Sequence, residues 1–266
     1  MKVVSSECII LKHQDFRERD RLVTFLARDK GRMAGVARGA RKLTARGLST
    51  FEPFIRGTIF YVEKPGAELV SIRKCDPVPP YLQLQAGYDK FLYASYFTEL
   101  VSLCRIGTQE AEPFFLLLAG GLENLYGAQS PQALPLLRLD YELDFLSCLG
   151  LQPQWGRCCA CDRPLLASKA GRPQPLLSGR HQFDASLGGV RCPDCRAAGH
   201  ALTELSAGSL AFLAAWRDDA ARDTLRPTRN ALAELEAALT QHIVHHLERE
   251  PRSLALLPRV GGPGSV

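Results

Sequence analysis

Five short runs, rich in β-branched or aromatic residues and closed by turn residues, fill the first 76 positions: VVSSECIILKH, RLVTFLA, RMAGVAR, FIRGTIFYVE and AELVSIRKC. Such runs between turn signals predict β-strands. Asp29-Lys30-Gly31 fits a hairpin turn, and Lys64-Pro65-Gly66 separates the last two runs. Five strands in about 75 residues match the size of an oligonucleotide-binding (OB) barrel, although strand count alone also admits an SH3-like barrel.

At Pro77, Pro79 and Pro80 the pattern breaks and the period lengthens. From Tyr81 to Cys104 apolar residues recur at Leu84, Tyr88, Phe91, Leu92, Tyr96, Leu100 and Leu103, which is helical spacing. Pro113–Tyr126 and Pro131–Leu149 read as two further helices. A polar stretch rich in Gly, Pro and Cys follows from Gln152 to Gly199, and helix returns at Ser206–Trp216 and Thr228–Glu248. The last of these carries Leu232, Leu235, Leu239, Ile243 and Leu247 on one face. The expected class is α+β, with a β-barrel at residues 1–79, a helical domain at 80–151 and 201–250 interrupted by a cysteine-bearing insert at 152–200, and a tail at 251–266.

The insert holds the sharpest motif. CCAC at Cys158–Cys161 is followed by CPDC at Cys192–Cys195, so two C-x-x-C knuckles offer the four thiolates of Cys158, Cys161, Cys192 and Cys195. Four thiolates close a tetrahedral structural zinc site. HQFDASLGGVRC, from His181, reads as a strand, a glycine turn and a strand delivering Cys192. Cys159 is a bystander, or replaces Cys158 by a shift of register. Cys8, Cys75, Cys104 and Cys148 sit in apolar patterns and read as small core residues. His242 and His246, four apart on a helix, lack a third ligand and fit a packing or helix-terminus role.

Charge is unevenly spread along the 266 residues. Residues 1–80 carry 16 Lys/Arg against 9 Asp/Glu, whereas residues 81–266 carry 17 against 19. Within the first third, Arg28–Arg46 holds seven basic residues and a single acid, Asp29. A cationic patch on a near-neutral body points to a polyanionic partner such as nucleic acid or anionic lipid. The stretch GVARGARKLTARG reads as a phosphate-gripping loop between barrel strands, with Arg38, Arg41, Lys42 and Arg46 as its cations, joined by Lys12 and Arg32. Phe51 and Phe54 are candidates for base stacking, with a core role as the alternative. Arg157, Arg163, Lys169, Arg172 and Arg180 are candidates for a second basic face.

The chain contains no H-E-x-x-H, Walker-type or G-x-G-x-x-G motif, and Arg191 stands before Cys192 where a zinc deaminase carries proline. These observations argue against common zinc hydrolases, NTPases and dinucleotide oxidoreductases. No run reaches the ~18 apolar residues of a membrane span, and the N-terminal apolar run is too short for a signal peptide, so a cytoplasmic protein is expected.

Several stretches in this order resemble the RecO family of bacterial recombination mediators: ECIILKHQDFRERDRLVTFLARDKGRMAGVARGARK, FEPF at Phe51–Phe54, RLDYELDFLSCLGLQP at Arg138–Pro153, the C-x-x-C…FDxxxGGVxCxxC insert, and HLEREPRSLALL. The resemblance implies an OB-fold β-barrel, a helical domain and an inserted zinc module with one structural Zn2+. It also implies a nucleoid-associated, non-enzymatic DNA repair and recombination protein that binds single- and double-stranded DNA and anneals complementary strands. With RecR it would load RecA onto DNA coated by single-strand-binding protein, whose acidic C-terminal tail would meet a cation such as Arg105 or Arg138 on the helical domain. The alternative from the residues alone is a zinc-ribbon adaptor that uses barrel and zinc on RNA or in transcription.

Overall fold

The computed structural model describes residues 2–40, 50–63, 65–78, 87–169, 172–198, 202–216 and 225–258. Strands β1 (Val4–Phe16), β2 (Asp20–Ala27), β3 (Gly31–Ala37), β4 (Arg56–Val62) and β5 (Val70–Pro77) close into a barrel in the order β1-β2-β3-β5-β4. All neighbours are antiparallel except β3 and β5, which pair in parallel through Gly35↔Val70, Val36↔Ser71 and Ala37↔Ile72. A five-stranded barrel with this order is an OB fold, which settles the choice that strand counting left open.

Closure depends on Gly35. A β-carbon there would lie 2.6 Å from the Val70 side chain and 2.7 Å from its carbonyl oxygen, so any larger residue would push β3 off β5. Inside, alternate residues Cys8, Ile10, Val23, Phe25, Ile59, Tyr61 and Ile72 form the core, joined by Phe51. Cys8 and Cys75 are both buried, and the Cys8 thiol is held well above its ordinary pKa by the Cys75 thiol beside it and by burial. Burial likewise pushes Cys104 up to about 11. These three cysteines are apolar filling, as their sequence setting suggests; Cys148 is only half-buried.

Helices α1 (Tyr88–Leu103) and α2 (Ala111–Gly127) pack with the barrel in one compact unit, Met1–Tyr141 with Pro251–Leu257. Two arginines tie the barrel to α2. Arg28 reaches Glu7 at 3.1 Å and Glu112 at 2.7 Å, and Arg56 pairs with Glu7 and, at 3.1 Å, with Glu123. Phe54, 3% exposed, packs edge-on against Phe91, and Phe51 is 7% exposed. Both phenylalanines therefore belong to the interior and cannot stack bases from solution. Tyr141 of α3 (Leu134–Cys148) stacks on Phe97 at 3.8 Å and donates its hydroxyl to the Phe97 carbonyl. A turn at Arg252–Leu256 is held by Glu99, which accepts from the Arg252 and Ser253 amides at 3.0 and 2.8 Å.

The second unit, Glu142–Glu250, takes over within α3. Its sheet runs β11-β9-β10-β6, from β6 (Gln154–Cys158), β9 (His181–Asp184), β10 (Gly189–Arg191) and β11 (Leu202–Leu205), while β7 (Leu166–Lys169) and β8 (Arg172–Pro175) form a separate hairpin. Strand β11 extends this sheet past residue 200, where the sequence reading ended the cysteine-bearing insert, and helix begins just after it. Helices α4 (Ala207–Trp216) and α5 (Arg229–Leu247) complete the unit. Helix α5 starts where Thr228 caps it, its hydroxyl accepting from the Ala231 amide, and stops at Glu248 in the left-handed region.

Candidate functional site

Two features carry chemistry. The first is the four-cysteine cluster. β6 ends at Cys158 and β10 ends one residue before Cys192; the two strands pair in parallel with Val190 opposite Cys158, which brings the first cysteine of each knuckle together. Tight turns then deliver Cys161 and Cys195, the first through Asp162 at φ 60° and the second through a 3-10 turn. The four Sγ atoms lie within 4.8 Å of one another, with Cys161 and Cys192 at 3.9 Å. Zn–S bonds of 2.3 Å at the tetrahedral angle require S···S edges of about 3.8 Å, so the cluster has the dimensions of such a site.

Its electrostatics point the same way. Burial opposes charge on Cys158, yet the amides of Cys192, Ala160 and Cys161 and the Cys161 thiol stabilise its thiolate and bring it down to about 6. The Cys192 amide stands 3.3 Å from that sulfur. Cys195 is pushed up to about 12, because its neighbours Cys161 and Cys192 bond to its protonated form and Cys158 is already negative. A group of thiols that gives up its first proton readily and the later ones only against like charge is completed by a bound cation. Cys159 is outside the cluster: its amide bonds to Val190 and its β-carbon packs near Gly189, so the register-shift alternative is not what the fold adopts.

The FDASLGGV stretch builds the frame under the second knuckle. Asp184, 4% exposed, accepts from the Ser186 and Leu187 amides and from Arg191 at 2.7 Å. Burial works against its charge, but these bonds prevail and hold the carboxyl below the usual range. Gly188 takes φ +62°, and a β-carbon on Gly189 would come within 3.0 Å of Cys159. Behind the sheet, Phe183 stacks on Trp155 and meets the His242 ring edge-on; the His242 ring nitrogens stand 3.3 Å from the Ala185 carbonyl and 3.0 Å from the Leu151 carbonyl, and burial, which lowers its pKa, favours the neutral ring, which donates to one of them. His242 is thus a packing residue. Among the described residues no second group of three or more metal-ligating side chains assembles.

The expected second basic face is not free. Arg157 pairs with Asp162 and Arg163 with Asp194, each at 2.6 Å, while Arg180 is shared between Glu204 and Glu234. Arg163–Asp194 ties one knuckle to the other. These arginines spend their charge on local carboxylates. The side chains of Lys169 and Arg172 lie outside the described residues.

The second feature is the outer face of β2 and β3. The registers Lys12↔Thr24, Thr24↔Ala34, Leu22↔Val36 and Val36↔Ser71 lay a floor of short side chains. Around it stand Lys12, Arg32 and Arg38, all exposed, and Arg73, which follows Ile72 as Arg38 follows Ala37 across the β3–β5 pair. None of the four has a carboxylate partner among the described residues. Nearby Arg21, by contrast, is engaged by Glu52 at 2.9 Å. A depression of about 290 Å³ opens on this face, lined by Thr24, Arg32, Met33, Ala34 and Glu68. OB folds bind ligands on this strand 2–3 face.

The fold therefore brings Lys12, Arg32 and Arg38 together, and Arg41, Lys42 and Arg46 lie outside the described residues. Sequence reading missed Arg73, which sits some thirty residues from the basic cluster; only the parallel β3–β5 register reveals it. Arg105 is exposed just after α1, whereas Arg138 is 5% exposed with its guanidinium 5.3 Å from the Tyr96 ring centre. Arg138 serves the interior and is withdrawn as a surface contact for a peptide.

Comparison with known proteins places both features in one family. Residues 1–81 match the family model described as Recombination protein O N terminal, and residues 85–255 match Recombination protein O C terminal. The DNA repair protein RecO of Pelotomaculum thermopropionicum is 30% identical over 263 residues, covering 98% of this chain and 96% of the relative. That of Symbiobacterium thermophilum is 30% identical, covering 97% of each chain, and that of Roseiflexus sp. is 31% identical, covering 100% and 90%. No described helix is long and apolar enough to cross a membrane. With matches that run from the first barrel strand to the turn after α5, the chain belongs to the RecO family of DNA repair proteins.

Proposed function

We propose that this protein binds single- and double-stranded DNA on the outer β2–β3 face of its barrel, joined by the cations Arg41, Lys42 and Arg46 that follow β3 in the sequence. There it anneals complementary strands and, with RecR, helps load RecA onto DNA covered by single-strand-binding protein. The observation that carries the reading is the set Lys12, Arg32, Arg38 and Arg73, exposed around a floor of short side chains and free of carboxylate partners among the described residues. Cations already paired within the fold gain little from a phosphate; unpaired ones release the counterions of the strand they neutralise. Annealing needs no acid–base residue. Two strands repel through their phosphates, and a face that screens this repulsion lowers the barrier to their encounter.

Cys158, Cys161, Cys192 and Cys195 would hold one zinc ion, which supplies structural cross-linking between β6 and β10. Arg105 is the remaining candidate to meet the acidic tail of single-strand-binding protein. The protein works in the cytoplasm, at the nucleoid.

The test is annealing of complementary oligonucleotides precoated with single-strand-binding protein, comparing wild type with Arg41→Ala/Lys42→Ala and Arg38→Ala/Arg73→Ala. Annealing by wild type and its loss in both variants is expected. A folded, zinc-loaded wild type that fails to anneal would refute the reading and favour an RNA-directed adaptor.

A further inference from the structure

OB folds that hold single strands usually do so by stacking bases on exposed aromatic rings. Among the described residues this barrel offers none on its cationic face. From residue 2 to residue 78 the aromatic residues are Phe16, Phe25, Phe51, Phe54, Phe60 and Tyr61. Phe25 and Tyr61 are completely buried, and Phe51 and Phe54 are 7% and 3% exposed. Phe60 lies on β4, which does not border the β2–β3 pair, and Lys74 Nζ stands 4.4 Å from its ring centre. Phe16 ends β1, where the Arg17 guanidinium covers it at 5.2 Å. The 41–49 segment contributes no aromatic residue by composition.

What the face does offer is fixed positive charge over Thr24, Ala34 and Val36, side chains too short to clasp a base. Arg32 and Arg38 are six residues apart along β3, a span of about 20 Å at the rise of a strand, the axial length of about six base steps of B-form DNA. Lys12 on the β1 flank and Arg73 on the β5 flank widen the track.

We infer that the barrel grips nucleic acid by its phosphate backbone alone, with the bases turned away from the protein and open to a complementary strand. The inference rests on the DNA-binding reading above and specifies its ligand chemistry: a polyphosphate track of either strandedness rather than a base. Both proposed activities then follow from one surface. A strand held bases-outward can pair while still bound, and the duplex it forms presents the same backbone to the same cations.

The experiment compares the full-length, zinc-loaded protein on three fluorescent 20-mers at one salt concentration: oligo-dT, oligo-dA and a fully abasic strand of equal phosphate count. Phe16→Ala and Phe60→Ala proteins run in parallel. Affinities within about threefold across the strands, unchanged in both variants, are expected; each stacked base would otherwise contribute roughly five- to hundredfold. Tenfold or greater loss on the abasic strand overturns the inference while leaving DNA binding intact, and it does so wherever the stacking ring lies, Tyr88 and Phe91 of α1 included. A fivefold or greater loss on oligo-dT by either variant overturns it equally. Absence of binding to all three strands overturns the DNA reading itself.

Discussion

Replacing Arg38 and Arg73 by alanine tests the cationic face through a quantity that structural damage does not mimic, the slope of binding against salt. Each phosphate neutralised on a single strand contributes about 0.7 to the fall of log K with log salt. Removing two contacts should lower the slope by about 1.4, so that the affinity lost between 50 and 200 mM salt shrinks by about sevenfold, whatever Arg41, Lys42 and Arg46 add. Both side chains are exposed and lack carboxylate partners among the described residues, so their truncation breaks no internal ion pair there. Fluorescence anisotropy with a 20-mer, titrated at four salt concentrations, gives the slope directly. Arg157→Ala is the matched control: that arginine is held by Asp162 at 2.6 Å and should leave the slope unchanged. An unaltered slope in the double variant, or an equal drop in the control, would refute the distinction between free and paired arginines.

Glu68 lines the depression beside Arg32 and carries the one negative charge among its lining residues, so Glu68→Gln should tighten DNA binding by about two- to fivefold at low salt and less at high salt; weaker binding would contradict the assigned face. Cys158→Ser should abolish stoichiometric zinc by elemental analysis, whereas Cys159→Ser should retain it, since only the former sulfur belongs to the cluster. Glu234, 16% exposed, accepts from the Ser206 amide at 2.7 Å and from the Ser209 hydroxyl; burial opposes its charge, but these bonds hold its pKa below 4.5. Its contribution, about 1 kcal/mol, is therefore complete above the unfolded value near 4.5 and disappears as pH falls through the lowered folded value. Urea melts should show wild type more stable than Glu234→Gln at pH 7, the gap narrowing below pH 4.5; a constant gap would exclude the linkage.

The strands of the barrel were legible because each is rich in β-branched or aromatic residues and bounded by turn residues, and the helices because their apolar spacing is regular. The knuckles were legible because C-x-x-C is a local motif whose chemistry depends on its spacing. What escaped the sequence is what depends on pairing between distant segments. β11 reads as four unremarkable residues, LTEL, and becomes a strand only because β9 offers it an edge. Phe51 and Phe54 sit in a polar stretch that looks exposed, and they are buried because the FEPF turn folds back onto β1, with the Phe54 amide bonded to the Ile10 carbonyl.

The same limit explains the arginines. In sequence, Arg163 and Arg38 are both arginines in turn-rich segments, and charge counting offers both to a polyanion. In the fold one meets Asp194, thirty-one residues away, while the other meets no carboxylate among the described residues. Charge counted along a chain therefore measures supply, and only the three-dimensional arrangement of the acids shows what remains after internal neutralisation. Around the cysteine cluster, Asp162, Asp194, Glu204 and Glu234 absorb the charge of Arg157, Arg163, Arg180 and Arg196, and that region holds itself together. Beside β2–β3 the acids are mostly engaged, Glu7 by Arg28 and Arg56 and Glu52 by Arg21, and Glu68 alone lines the depression beside Arg32. The barrel thus spends Glu7 and Glu52 fastening its own arginines, leaving one outer face on which Lys12, Arg32, Arg38 and Arg73 outnumber Glu68, an excess that an external polyanion can balance.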